Sequence, residues 1–183
     1  MPPEQGNSLQ DRDRQFAAIA LPHLDAAYNL ARWLLRNEQA ADDVVQEAYL
    51  RAFRYFGSFR GDDARPWLLG IVRNACRTWA EDNRGAGQAL EFDEERDSAP
   101  QDCAPERAAD DPELLLSKKQ DGAAVNAAIA ALPAAFREVV VLRELEELSY
   151  DDIARIVGIP PGTVMSRLSR ARALLRKALV RPE

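Results

Sequence analysis

The chain has 183 residues, 46% of them hydrophobic and 30% charged, with a formal net charge of −6 and a pI near 5.0. That is enough apolar content for one medium domain or two small ones, and no run of about 18 apolar residues exists to span a membrane. The opening MPPEQGNSLQDRDRQ is polar and mixed in charge, unlike a secretory leader, so the expected location is the cytoplasm.

Residues 1–12 are expected to be disordered, and helical periodicity begins near 13. The first helical segment runs to about 36, with Pro22 starting a second helix or kinking the first. Leu24, Tyr28, Ala31 and Leu35 recur at helical spacing and predict its buried face. A second helix is predicted over about 40–56 and a third over about 64–82. Between them, FGSFRGDDARP carries Gly57, Gly61 and Pro66, the composition of an ordered but irregular loop.

Within the second helix, Asp43, Gln46, Glu47, Leu50, Arg51 and Arg54 fall on one stripe, joining acid, amide, leucine and base. Such a stripe suits protein docking, although a plain solvated face has much the same composition. The loop and third helix interleave Phe56, Phe59, Trp67 and Trp79 with Arg60, Arg65, Arg73, Asn74, Arg77 and Arg84. Aromatic walls with amide and arginine donors suit unstacked bases of a single strand. The competing reading makes Trp67 and Trp79 core residues of a three-helix bundle, and for Trp67 that is the better one.

From 85 to 121 the pattern breaks at Gly85, Gly87, Pro100, Pro105 and Pro112, and eleven acids face four bases. This segment carries a net charge of −7 and reads as a flexible linker, which leaves the rest of the chain at +1. A second helical unit starts near 122, with Pro133 suited to a first helical turn. Ser149 and Asp152 form a capping box for a short helix at 150–157, Gly158 ends it, and Pro160-Pro161 allows a new helix to begin. In that last helix Val164, Leu168, Ala171 and Leu175 make the core face. The other side is hydroxylated, small or basic, with six bases and no acid between Gly162 and Pro182. Small residues let a helix enter the major groove, and arginines reach phosphates or guanine edges. A basic helix end also complements its own dipole, but the preceding cap, Ala154 and the glycine turn favour a helix-turn-helix.

DDVVQEAYLRAFR, FRGDDARPWLLGIVRNACRTW, the acidic segment and LPAAFREVVVLRELEELSYDDIARIVGIPPGTVMSRLSRARALL resemble, in order, the second domain, linker and fourth domain of bacterial extracytoplasmic-function (ECF) sigma factors. The resemblance implies an all-α chain of two small helical domains, 13–84 and 122–183, joined by a flexible acidic linker over 85–121. It implies an initiation factor that catalyses nothing itself and needs no cofactor or metal. Its partners would be core RNA polymerase, through the β′ clamp coiled coil and the β flap, promoter DNA, and an anti-sigma factor that hides those surfaces.

By the same resemblance, Asp43, Gln46, Glu47, Leu50 and Arg51 would dock on polymerase. Phe59, Arg60, Gly61, Asp62, Arg65, Trp67, Arg73 and Asn74 would open and hold the −10 element. Thr163, Met165, Ser166, Arg167, Ser169, Arg170 and Lys177 would read the −35 element. Met165 stands where many members carry a base, and Asp62 and Asp63 oppose a nonspecific electrostatic grip in the loop. The alternatives are an autonomous helix-turn-helix regulator, which the docking stripe disfavours, and an enzyme. The lone His23 and scattered acids form no catalytic constellation. Cys76 and Cys103, with no CxxC, are expected to be reduced thiols without a redox role.

Overall fold

The computed structural model describes residues 5–61, 63–83 and 122–179, with side chains from Gln10 onward. The expected linker at 85–121, together with Asp62, Arg84, Cys103 and Arg181, lies outside the described residues. Every regular element among the described residues is helical, and they form two compact units, one chiefly from helices before Arg84 and one chiefly from helices after Asp121.

The first unit contains α1 (Gln5–Ala20), a 3-10 turn at Leu21–His23, α2 (Leu24–Leu35), α3 (Glu38–Tyr55), a second 3-10 turn at Phe56–Ser58, and α4 (Ala64–Asp82). Pro22 lies in the 3-10 turn, where its missing N–H and fixed φ separate α1 from α2. The buried face of α2 is Ala27, Leu30, Ala31, Leu34 and Leu35, an i, i+3, i+4, i+7, i+8 stripe. Leu24, expected on that face, is 40% exposed because it sits at the first residue of the helix, beside the turn.

Arg36 takes the left-handed conformation (φ 54°) and donates its N–H to the Arg32 carbonyl at 2.9 Å, closing α2. Asn37 follows as the N-cap of α3, its side-chain oxygen accepting from Ala40 N at 3.0 Å. Two residues thus turn the chain, and α2 and α3 return against each other as a tight helical hairpin. α3 buries Ala40, Ala41, Val44, Val45, Ala48 and Ala52, side chains small enough for α2 and α4 to approach closely. α4 completes the bundle with Leu68, Leu69, Val72, Ala75 and the buried thiol of Cys76.

The N-terminus departs from expectation, since α1 starts at Gln5 inside the stretch expected to be disordered. The Arg12 guanidinium donates to the Phe53 and Arg54 carbonyls at 2.9 and 3.3 Å and lies 5.1 Å from the Phe53 ring centre. Those carbonyls belong to the last turn of α3, at the negative end of its dipole, so a cation is favoured there although Phe53 O also accepts from Phe56 N. In return, Tyr49 of α3 donates its hydroxyl to Ala20 O at the end of α1, at 3.0 Å. Partners 29 to 42 residues away are invisible to local periodicity.

The second unit contains α5 (Gly122–Ala131), α6 (Ala134–Val140) running into a π turn at Val141–Leu145, α7 (Tyr150–Val157) and α8 (Pro161–Leu179). Pro133 is the N-cap of α6. Buried Arg137 donates to Ala130 O and Leu132 O at 2.9 and 3.1 Å, capping the end of α5. The π turn is closed by Glu146 N donating to Val141 O at 3.0 Å, and Glu147 beyond it adopts φ 53°. α8 packs on α5 and α6 through Val164, Leu168, Ala171 and Leu175, the core face its spacing predicts.

Candidate docking and nucleic-acid surfaces

The small buried face of α3 forces its remaining side chains outward. Asp43, Gln46 and Glu47 are exposed and Arg51 is half-buried, its guanidinium 2.8 Å from the Glu47 carboxylate. Among them Leu50 is 62% exposed, and Tyr55 at the helix end is 61% exposed. Leu50 leaves apolar area between an acid-amide pair and an ion pair that a partner seated on this face would cover. The five stripe residues expected to dock are thus one continuous face of one rigid helix, and an i, i+4 ion pair preorganises its C-terminal part.

The segment after α3 holds the residues expected at the −10 element, and they divide by role. Phe59 and Trp67 are partly buried, their ring centroids 4.8 Å apart, and both pack on Ala20, Ala52, Ala64 and Leu68. Trp67 is thus a half-buried ring packed on the bundle core. Arg60 is exposed but donates to Gly57 O at 2.7 Å and Phe59 O at 3.1 Å, so its charge presently ties the loop to itself. Gly61 is exposed beside the Phe59 ring, Arg65 is half-buried, and Asn74 is exposed on α4. Arg73 is only 7% exposed and has partners within the protein, so DNA contact through it requires it first to be uncovered. Asp63 has a duty the sequence reading missed: it is the N-cap of α4, its carboxylate accepting from Arg65 N at 2.9 Å. The signal was present, an Asp immediately before Ala-Arg-Pro at a helix start.

α7 and α8 form the second surface. Asp152 N donates to Ser149 Oγ at 3.1 Å, and the Ser149 hydroxyl donates to Asp152 Oδ2 at 2.5 Å, so the carboxylate meets the capping hydroxyl directly. Gly158 has φ 78°, and Ile159 N donates to Ala154 O at 3.1 Å, the six-residue closure of a Schellman motif. On α8, Met165 (50% exposed), Ser166, Ser169 and Lys177 face solvent, while Thr163, Arg167 and Arg170 are half-buried. Arg172 is withdrawn from the basic face, since its Nη2 and Nε lie 2.8 and 3.2 Å from Glu144 Oε1. That pair fastens α8 to the π turn, and Arg143, stacked 4.8 Å from the Tyr150 ring centre, fastens the turn to α7.

Among the described residues no group of His, Cys, Asp or Glu is arranged to hold a metal ion, and no helix is long and apolar enough to cross a membrane. Burial, and after it the negative charge of Asp25, pushes the Tyr49 hydroxyl up to about 12. Tyr49 therefore remains a neutral hydrogen-bond donor through the physiological range.

Comparison with known proteins agrees with this division. Residues 19–85 match the family model for Sigma-70 region 2, and residues 123–175 match that for Sigma-70, region 4. The RNA polymerase sigma-H factor of Pseudomonas aeruginosa is 34% identical over 96% of this chain and 94% of its own length. The ECF RNA polymerase sigma-E factor of Escherichia coli K12 is 37% identical over 71% of this chain and 69% of its own. Among solved structures, the sigma factor RpoE of Bartonella quintana, crystallised with the anti-sigma factor NepR, superposes with a TM-score of 0.66 at 28% identity, covering 91% of this chain and 97% of that one. CnrH in complex with the cytosolic domain of CnrY superposes with a TM-score of 0.61 at 26% identity, covering 91% and 88%.

Proposed function

The chain belongs to the ECF sigma factors of RNA polymerase, and from that premise we propose that it docks on core polymerase through the α3 stripe and engages the two promoter elements with separate units. As a sigma factor it is a transcription initiation factor rather than an enzyme, and it works with core polymerase on promoter DNA. In this reading, Asp43, Gln46, Glu47, Leu50 and Arg51 meet the β′ clamp coiled coil. Phe59, Arg60, Gly61 and Asp62 of the loop, with Arg65, Trp67 and Asn74 of α4, capture the opened −10 strand, and Arg73 joins them once uncovered. Thr163, Met165, Ser166, Arg167, Ser169, Arg170 and Lys177 read the −35 element in the major groove.

The observation that carries this reading is the face of α3, where Leu50 is left 62% exposed among charged neighbours while the opposite face is fully buried. The acid-free outer face of α8 supports the DNA-reading half. The domains are taken as 13–84, extended by the α1 residues before it, and 122–183, with 85–121 between them. The negative charge of that intervening stretch leaves the two DNA-facing parts close to neutral in sum, so local basic faces are free to act. The NepR complex of the Bartonella relative supports control of this chain by an anti-sigma factor, and the site of action is the cytoplasm.

The test is reconstituted transcription. Purified protein added to core polymerase is expected to give RNA from defined start sites on promoters that core alone ignores. Tight binding to a duplex operator without core, combined with no start-site-specific RNA, would overturn the reading in favour of an autonomous regulator.

A further inference from the structure

A row of aromatic rings runs from the N-terminal helix into the loop assigned to the −10 strand. Phe16 of α1 meets Phe56 edge-on at 5.4 Å between centroids, Phe56 stacks on Phe59 at 6.5 Å with planes 13° apart, and Phe59 lies 4.8 Å from Trp67. Phe16 also meets Phe53 at 5.2 Å and Tyr49 at 6.4 Å, so α3 holds its ring in place while it supports the loop. α1 itself is fixed by the Arg12 clamp on α3 and by the Tyr49 hydroxyl on Ala20 O.

Among its described residues the loop has little regular hydrogen bonding of its own. Its backbone makes one 3-10 turn, closed by Phe59 N donating to Phe56 O at 3.0 Å, and Arg60 draws the chain back on Gly57 and Phe59. Gly61 then lies so near the Phe59 ring that a Cβ there would come within 3.2 Å of Phe59 Cε2. A segment built this way takes its pose from the rings and small core residues beneath it, and Phe16 supports that layer through its edge-on contact with Phe56.

We propose that Phe16 is a positioning residue for −10 recognition: by fixing Phe56 and through it Phe59, α1 sets the pose of the 59–61 segment without touching DNA. The proposal rests on the assignment of this loop to the −10 element. It also explains why α1 is tied to α3 at Arg12 and at Ala20, on either side of Phe16, rather than left as a free arm, since an untethered helix could not hold a ring to a fixed place.

The experiment uses full-length holoenzyme carrying Phe16→Ala, Phe16→Leu or Asn74→Ala, with core affinity measured alongside. Open-complex formation is compared on a promoter with its intact −10 element and on one with a single substituted −10 base, and the ratio is the readout. Partial unfolding lowers the active fraction on both promoters equally and leaves the ratio unmoved. A positioning role predicts that Phe16→Ala lowers the ratio by roughly fivefold or more, the lower end of what one well-placed base contact is worth, while core affinity is kept. Phe16→Leu keeps apolar volume but loses the edge-on ring contact, and carries the same criterion if the alanine variant does not fold. If Asn74→Ala lowers the ratio and neither Phe16 variant does, the positioning role is overturned and the loop assignment stands. If none of the three moves it, the loop assignment itself falls, and the role with it.

Discussion

Replacing Leu50 with alanine separates the proposed docking surface from the fold. Leu50 lies in the middle of α3 and is 62% exposed, so most of its side chain contributes nothing to the packing of the bundle. Fully burying a leucine is worth about 1.5–3 kcal/mol, so the part left open here offers a partner about 1–2 kcal/mol. Leu50→Ala should therefore weaken binding to core polymerase by roughly 5- to 30-fold. The covered remainder sets the cost to the fold at no more than about 1 kcal/mol, part of it returned by alanine's higher helix propensity. Titration of fluorescently labelled protein with core polymerase reads the first quantity, and denaturant unfolding of the isolated chain reads the second. An unchanged affinity for core with unchanged stability would refute the docking assignment. A loss of affinity matched by an equal loss of stability would refute the claim that this side chain is spare to the fold.

Arg170→Ala should weaken binding at the −35 element by about 1–3 kcal/mol and flatten base preference there, whereas an unaltered preference removes it from the base-reading set. Arg172→Ala, two residues on, should instead cost about 1–2 kcal/mol of stability by stranding the partly buried Glu144 carboxylate. Base preference should survive that change, and a shift in preference at constant stability would contradict the division of labour along α8. Gly158→Ala meets no atom within 4 Å, but its φ of 78° is strained for an L side chain, so an unfolding cost of about 1–2 kcal/mol is expected from the backbone alone. A neutral result there would mean that the turn between α7 and α8 does not need its left-handed residue. Tyr49→Phe removes the bond to Ala20 O and should cost about 1 kcal/mol at neutral pH, read by thermal melting. Because the folded hydroxyl is raised from 10.0 to about 12, its contribution is complete below pH 10 and fades as pH climbs toward 12. The variant should flatten that alkaline decline, and an identical decline in both proteins would assign it to another group.

The second unit was the more legible in sequence. Ser149 with Asp152, Gly158 and Pro160-Pro161 are local instructions, each satisfied by partners within about one turn, and all produce the predicted helix-turn-helix. The buried face of α8 followed from a 3.6-residue period for the same reason. In the first unit, periodicity placed α3 and α4 within two residues of their ends and put the stripe proposed to dock on the outside. It failed at α1, whose order depends on Arg12 reaching carbonyls more than 40 residues away. It also took Leu24 for a core residue, because spacing alone does not show where a turn begins.

The order of the two binding blocks, the helix-turn-helix, the stripe on α3 and the placement of excess negative charge were all determined by the sequence itself, through short-range chemistry: period, cap, breaker and charge. What each basic or aromatic residue is free to do was decided by tertiary structure. Composition counted Arg172 with the DNA-facing bases, and packing gave it to Glu144. Composition counted Arg73 as a donor for DNA, and the fold buried it. Nothing in the sequence singled out Phe16, yet the fold placed it beneath the loop at the end of a row of rings. The physical reason is common to all three. Whether a charge or ring is spent inside the molecule depends on which distant atoms come within a few ångströms, and only the packed chain sets those distances.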